Sequence, residues 1–162
     1  MRSERNMYRD RSTSFSVGDG ICQPAQVNLS IGYALRRAQM RVYDEFFTAL
    51  GDLDTTPIRY ALMLLIRENP GIRAVDLASV LGVARSRMVK LIDDLESRNL
   101  ISRETHQSDR RNRILVLTVH GKRKLKPMEQ AVERHEAQLT EGLSAEDRNR
   151  LLGLLWRIAL PA

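Results

Sequence analysis

The chain has one cysteine, Cys22. No disulfide can form within it, and a reducing cytoplasm is the simplest home. Its three histidines, His106, His120 and His135, share no metal-ligand spacing with one another or with Cys22. That argues against a structural zinc site, which needs three or four converging ligands. No apolar run approaches the ~18 residues of a membrane span. The polar, arginine-rich segment from Met1 to Gly20 lacks the apolar stretch of a secretory signal. There is no G-x-S-x-G, no P-loop, no Ser-His-Asp arrangement and no paired-carboxylate context. Neither an enzyme nor a cofactor is therefore expected. What is left, 162 residues that are 43% hydrophobic and 28% charged, has the length and mix of one globular domain.

The net charge is +6, and its location matters more than its size. Between Arg85 and Lys124 stand eleven Lys and Arg against five Asp and Glu, which is the whole excess. A basic segment on a balanced body is the electrostatic footprint of a polyanion binder, unless it only solvates one face.

Residues 1–26 read as a tail. Gly18, Gly20, Pro24 and several serines punctuate it without hydrophobic period. Its arginines either touch phosphates as a loose arm or solvate a mobile end. Periodicity begins with Leu29, Ile31, Leu35, Ala38, Val42, Phe46 and Leu50, an amphipathic helix capped by Asn28 and stopped at Gly51. A second helix starts at Thr56-Pro57, buries Ile58, Ala61, Leu62, Leu65 and Ile66, and ends at Asn69-Pro70-Gly71. A short helix from about Ala74 to Leu81 follows, with Val75, Ala78 and Leu81 inward. After the Leu81-Gly82-Val83 turn comes a helix from about Arg85 to Arg98, whose core face is Met88 or Val89, then Ile92 and Leu95. Past Asn99 the period changes to 2. Leu100–Glu104 and Arg113–Thr118 read as paired strands, with His106–Asn112 as the loop between them. Thr118 starts a helix to about Thr140, which Pro127 either kinks or offsets. Ser144-Ala145-Glu146-Asp147 resembles a capping box ahead of a last, leucine-rich helix.

Helix, helix, turn, helix and a two-stranded hairpin in this order form a winged helix-turn-helix, so the expected fold is mainly α with a β-wing. The second helix of such a pair fits the major groove. With its core stripe assigned, Arg85, Ser86, Arg87 and Lys90 remain outward and suit base edges and phosphates. The acids Asp93, Asp94 and Glu96 follow, so the basic end should face DNA and the acidic end point away. At the wing, Arg110 and Arg111, with Arg113 beyond, present guanidinium groups to a narrow minor groove. Asp109 is expected to hold an arginine or the turn backbone in place.

The run from Ser108 to Arg113, followed by Val116-Leu117-Thr118-Val119-His120-Gly121, resembles the wing signature of the MarR family, D-x-R and then L-T-x-x-G. Asp76-Leu77-Ala78, Leu81-Gly82-Val83, Leu95-Glu96 and Leu100–Arg103 resemble the same family's helix-turn-helix. The likeness takes in residues 27–162, with the winged helix-turn-helix at about 55–118 and dimerisation helices at about 28–50 and 118–160. One departure stands out: Ala84 occupies the recognition-helix cap, where the family usually has Ser or Thr.

This resemblance implies a cytoplasmic, homodimeric transcriptional repressor on a pseudo-palindromic double-stranded operator. It also implies release by a small aromatic acid, a phenol or the coenzyme A thioester of one. The last helix, with Leu151, Leu152, Leu154, Leu155, Trp156, Ile158 and Leu160, either dimerises or caps the core. Tyr33, Arg36, Arg37, Phe46, Arg59 and Tyr60 lie on the helices that would line an effector pocket, although Phe46 also belongs to the core stripe and the arginines to the surface. Cys22 would offer a redox switch in place of a ligand, but no basic neighbour lowers its pKa. The remaining alternative is a winged-helix module that binds DNA without specificity or binds protein.

Overall fold

The computed structural model describes the backbone of residues 15–17, 20–22, 29–106 and 109–160, and the side chains of 29–105 and 113–160. By its contacts the chain divides into two compact units, 1–44 and 45–162. In the first, β1 (Phe15–Val17) and β2 (Gly20–Cys22) pair antiparallel within the segment read as a tail, with Phe15 opposite Cys22. Helix α1 (Ile31–Leu50) begins in this unit and ends in the second. It starts later than the apolar pattern suggests, because Ser30 Oγ accepts from the Tyr33 amide at 3.3 Å. Leu29 and Ile31 are consequently exposed.

The second unit carries α2 (Pro57–Glu68), α3 (Ala74–Val80), α4 (Arg85–Ser97), strands β3 (Ile101–His106) and β4 (Asp109–Leu117), then α5 (Val119–Leu139) and α6 (Ala145–Ala159). Thr56 caps α2 by accepting from the Arg59 amide, with Pro57 in the first turn as expected. Its buried residues are Leu62, Met63 and Ile66, whereas Ile58, Ala61 and Leu65 are half-buried. The buried face includes Leu62 and Ile66 of the expected stripe and is widened to Met63, because α2 is touched by both β4 and α5. In α3 the inward residues are Leu77 and Ala78, while Val75 is exposed. Ala74, Leu77, Ala78 and Leu81 make the stripe, and two turns of helix offered more than one apolar set.

Two left-handed residues set the path through the motif. After α3 the Val83 amide reaches back to the Ala78 carbonyl and that of Gly82 to Ser79, with Gly82 at φ 60°. After α4 the Leu100 amide bonds to Leu95 and that of Asn99 to Glu96, with Asn99 at φ 54°. Both are Schellman closures, which need a residue tolerant of positive φ. The second drops Leu100 into the core and starts β3.

β3 and β4 pair antiparallel, Ile101 opposite Leu117, and the register shifts between Thr105 and His106. His106 lies opposite Asp109, so most of the expected 106–112 loop is strand. Burial falls along the ribbon, from buried Ile101 to exposed Glu104 and Thr105. Toward the tip Glu104, Thr105 and Arg113 are exposed and need no apolar alternation, which is why the strands run further than the period of 2 shows. β4 takes one further bond, from the Leu115 amide to the Ile72 carbonyl at 3.0 Å, which ties the wing to the loop before α3.

The core is built by Leu62, Met63, Leu77, Met88, Ile92, Leu95, Ile101, Leu115, Leu125 and Met128. α5 runs unbroken through Pro127. Its start is fixed by Thr118, whose hydroxyl donates to the Asn99 carbonyl at 2.6 Å and accepts from the Gly121 amide at 2.9 Å. Ser144 caps α6 by accepting from the Asp147 amide, and its hydroxyl bonds the Asp147 carboxylate at 2.6 Å. No residue of α6 is buried. No helix among the described residues is long and apolar enough to cross a membrane.

Candidate nucleic-acid interface

α4 begins at Arg85, directly after Ala84, whose side chain makes no capping bond. The helix therefore starts without the usual polar cap, held instead by the Gly82 turn and by the buried stripe of Met88, Ile92 and Leu95. Replacing Ala84 by Ser supplies an acceptor for a free amide of the first turn. The expected gain is about 1 kcal/mol, read as a rise in thermal midpoint of roughly 3 °C; an unchanged midpoint would show that first turn already satisfied.

The stripe places Arg85, Ser86, Arg87 and Lys90 in solvent, as the sequence required. It also resolves the choice between Met88 and Val89: Met88 is buried and Val89 is 48% exposed. The acidic turns of α4 face other elements rather than bulk solvent alone. Asp93 and Glu96 both bind the guanidinium of Arg103 on β3. The Arg103 amide donates to Glu96 as well, at 3.3 Å. Asp94 pairs with Arg59 of α2 at 2.8 Å. Arg98 turns to Asp54, bonding its carbonyl at 2.7 Å and its carboxylate at 2.5 Å. Such half-exposed pairs add little net stability, but they fix orientation. Arg98 and Arg103 are thus internal braces, and the basic charge left outward lies at the N-terminal end of the recognition helix. Pairs separated by seven to 44 residues carry no local signal, so the sequence reading missed them.

Ahead of the motif, Arg73 grips Asp76 through two bonds of 2.9 Å and donates its own amide to the same carboxylate. The Arg73 guanidinium holds the Asp76 carboxyl below its ordinary range. An acid in the first turn of α3 also opposes the unpaired amides of that turn.

At the wing, Arg113 is exposed and sits opposite Thr105. Asp109, Arg110 and Arg111 belong to the backbone of β4, and their side chains lie outside the described residues. So does that of Cys22, on β2. The base of the wing explains the L-T-x-x-G run. Thr118 joins the end of α4 to the start of α5, and Gly121 lies so close to Leu100 that a Cβ there would sit 1.9 Å from its carbonyl oxygen.

The effector candidates divide between the two units. On α1, Tyr33 is half-buried, while Arg36 and Arg37 are exposed. In the second unit Phe46 is buried, its ring edge-to-face with that of His135 at 6.0 Å. Arg59 is engaged by Asp94. Tyr60 is half-buried against the core, and burial, reinforced by Glu129, raises its phenol above the ordinary value. His135, which the sequence reading did not single out for a ligand, is 2% exposed, and neither ring nitrogen has a hydrogen-bond partner among the described residues.

Three comparisons bear on this geometry. The model of the MarR family matches residues 56–112. A protein of Thauera aromatica, assigned to transcriptional regulation of the hcr operon, is 36% identical over 129 residues, which are 79% of this chain and 78% of that protein. The transcriptional repressor CouR bound to a 23-mer DNA duplex is 37% identical, with a TM-score of 0.81 over 86% of this chain and 99% of CouR. CouR bound to p-coumaroyl-CoA superposes with a TM-score of 0.77 at 34% identity, over 86% and 98%.

Proposed function

The chain belongs to the MarR family, and from that premise we propose that it is a sequence-specific DNA-binding repressor. In this reading it acts as a homodimer on a pseudo-palindromic operator and leaves it on binding a small aromatic acid, a phenol or the coenzyme A thioester of one.

The observation that carries the reading is the division of charge on α4. Arg85, Ser86, Arg87 and Lys90 are free to enter a major groove, while Asp93, Asp94 and Glu96 are occupied with Arg103 and Arg59. A like-charged groove would reject the acids if they faced it. Arg and Lys read guanine O6 and N7, and Ser bonds either kind of base. Arg110, Arg111 and Arg113 of the wing then belong to the adjacent minor groove or its phosphates, with Asp109 steadying them. For the effector, the buried ring of His135, unpaired among the described residues, lies beside Phe46 and gives a polar contact next to an aromatic one, the pairing that a phenol or aromatic acid uses. The relative bound to p-coumaroyl-CoA supports the thioester among these choices.

The test is fluorescence anisotropy on DNA from upstream of the protein's own gene, beside a scrambled duplex, at two salt concentrations. Arg87→Ala is expected to cost about 1–3 kcal/mol and to relax base preference. Arg111→Ala is expected to weaken binding to every duplex and to reduce the salt slope by about 1. Aromatic acids and their thioesters are then titrated into the wild-type complex, and one of them is expected to release it. Equal binding to both duplexes, collapsing together as salt rises, would leave a non-specific binder and end the repressor reading.

A further inference from the structure

Val89 has no role in the fold that its exposure would explain. Between Val83 and Thr118 it is the one large apolar residue more than a third exposed among the described residues. Its neighbour Met88 takes the core position, so the methyls of Val89 stand in solvent on the outer half of α4. A β-branched residue at an exposed helix site sacrifices helix propensity and gains no burial. Helical spacing sets it one turn beyond Arg85 and Ser86 and one turn before Asp93. Since Asp93 reaches Arg103 on β3, this flank of α4 is the one that faces the wing.

In the major groove a base edge presents donors, acceptors and a single apolar group, the 5-methyl of thymine. A short side chain carrying two methyls and no polar atom can favour only that group, and it disfavours an unpaired donor or acceptor placed against it. We infer that Val89 is a specificity-determining residue that reads a thymine methyl, at a base pair next to those read by Arg85 and Ser86. This rests on the DNA-reading role proposed above and adds an apolar position to its polar ones. It also fixes the kind of operator: each half-site carries at least one thymine whose methyl, rather than its hydrogen-bonding edge, is recognised.

The experiment separates the methyl from the base. Randomised duplexes are selected on the full-length wild-type protein and on Val89→Ala, and the consensus of each is read by sequencing. The wild-type consensus is then remade with deoxyuridine in place of each thymidine in turn, and both proteins are titrated on every duplex. The expected result is one symmetric thymine at which uracil weakens the wild-type protein about fourfold per half-site, the worth of one buried methyl. Val89→Ala should bind the thymine and uracil duplexes alike there and should select no preference at that position. The substitution removes only exposed methyls and favours the helix, so its thermal midpoint should match or exceed the wild type. A wild-type consensus with no uracil-sensitive thymine, or a uracil effect unchanged in Val89→Ala, overturns the inference while leaving DNA reading intact. Failure of the wild-type protein to select any consensus overturns both.

Discussion

Gly121→Ala is expected to lower stability by about 3 kcal/mol or more, and so to drop the thermal midpoint by roughly 10 °C at fixed protomer concentration. The added Cβ would stand 1.9 Å from the carbonyl oxygen of Leu100 and 2.9 Å from its carbonyl carbon. Those are backbone atoms, so no rotamer change relieves the clash. Leu100 is itself tied down, since its amide closes α4 onto Leu95 and its carbonyl accepts from the Thr118 amide at 3.1 Å. Moving it apart from Gly121 would therefore open the junction of α4, β3 and α5 together. Gly142→Ala serves as the control, because a Cβ there meets nothing within 4 Å among the described residues. It should leave the midpoint near that of the wild type. Thermal denaturation followed by circular dichroism compares the two, and a Gly121→Ala midpoint within a degree or so of the control would refute the close approach.

The second large effect is expected on α6. Leu151, Leu152, Leu154, Trp156, Ile158 and Leu160 are all between 43% and 61% exposed in the single chain. An apolar face of this extent marks an interface in a soluble protein, and the homodimer proposed for this chain would cover it. Leu151→Glu combined with Ile158→Glu places two carboxylates two turns apart on one side of the helix. The double variant is expected to elute as a monomer, with a light-scattering mass half that of the wild type. Operator affinity should fall about a hundredfold or more, since one half-site then binds without the help of the other. Trp156 is the only tryptophan in the chain, so its emission reports the same event without a label. It should lie further to the red in the variant than in the wild type. A wild-type protein that is monomeric at micromolar concentration, or a double variant that stays dimeric, would remove this assignment.

Much of the architecture could be read from the residues because its signals are local. Thr56-Pro57 starts α2, Ser144 with Asp147 starts α6, and Gly82 and Asn99 mark the two turns of the motif. Thr118 reads locally as a helix start, whereas Gly121 stands out only within the L-T-x-x-G run; the bond to Asn99 and the approach to Leu100 supply the physical reason for both. Illegible features depend on what lies across space. Met63 is buried because α2 is touched on two sides. Leu77 rather than Val75 turns inward because a two-turn helix leaves its register to its partners. The base of the wing shows its strands by alternation, but the outer residues, from Thr105 to Asn112, carry no apolar pattern to mark how far the strands extend. Counting charges located the basic segment, but it could not show that Arg98 and Arg103 are spent on Asp54, Asp93 and Glu96. On the outward face, the sequence left Met88 and Val89 interchangeable, and only the packing separates a core residue from a candidate reader of bases.

The braces from Arg103 to α4, with the Leu115–Ile72 bond, bear on how such a protein could be regulated. Recognition helix and wing are joined like the two faces of one jaw. A pair of such jaws can be opened or closed by whatever shifts the helices between them, but neither jaw changes its profile. An effector would therefore alter how well two half-sites at a given separation are gripped at once, while each half-site keeps its own order of preferred bases. The same sequence logo should be recovered with and without effector, at different strengths, and operators with altered spacing should respond to the effector differently from the native one.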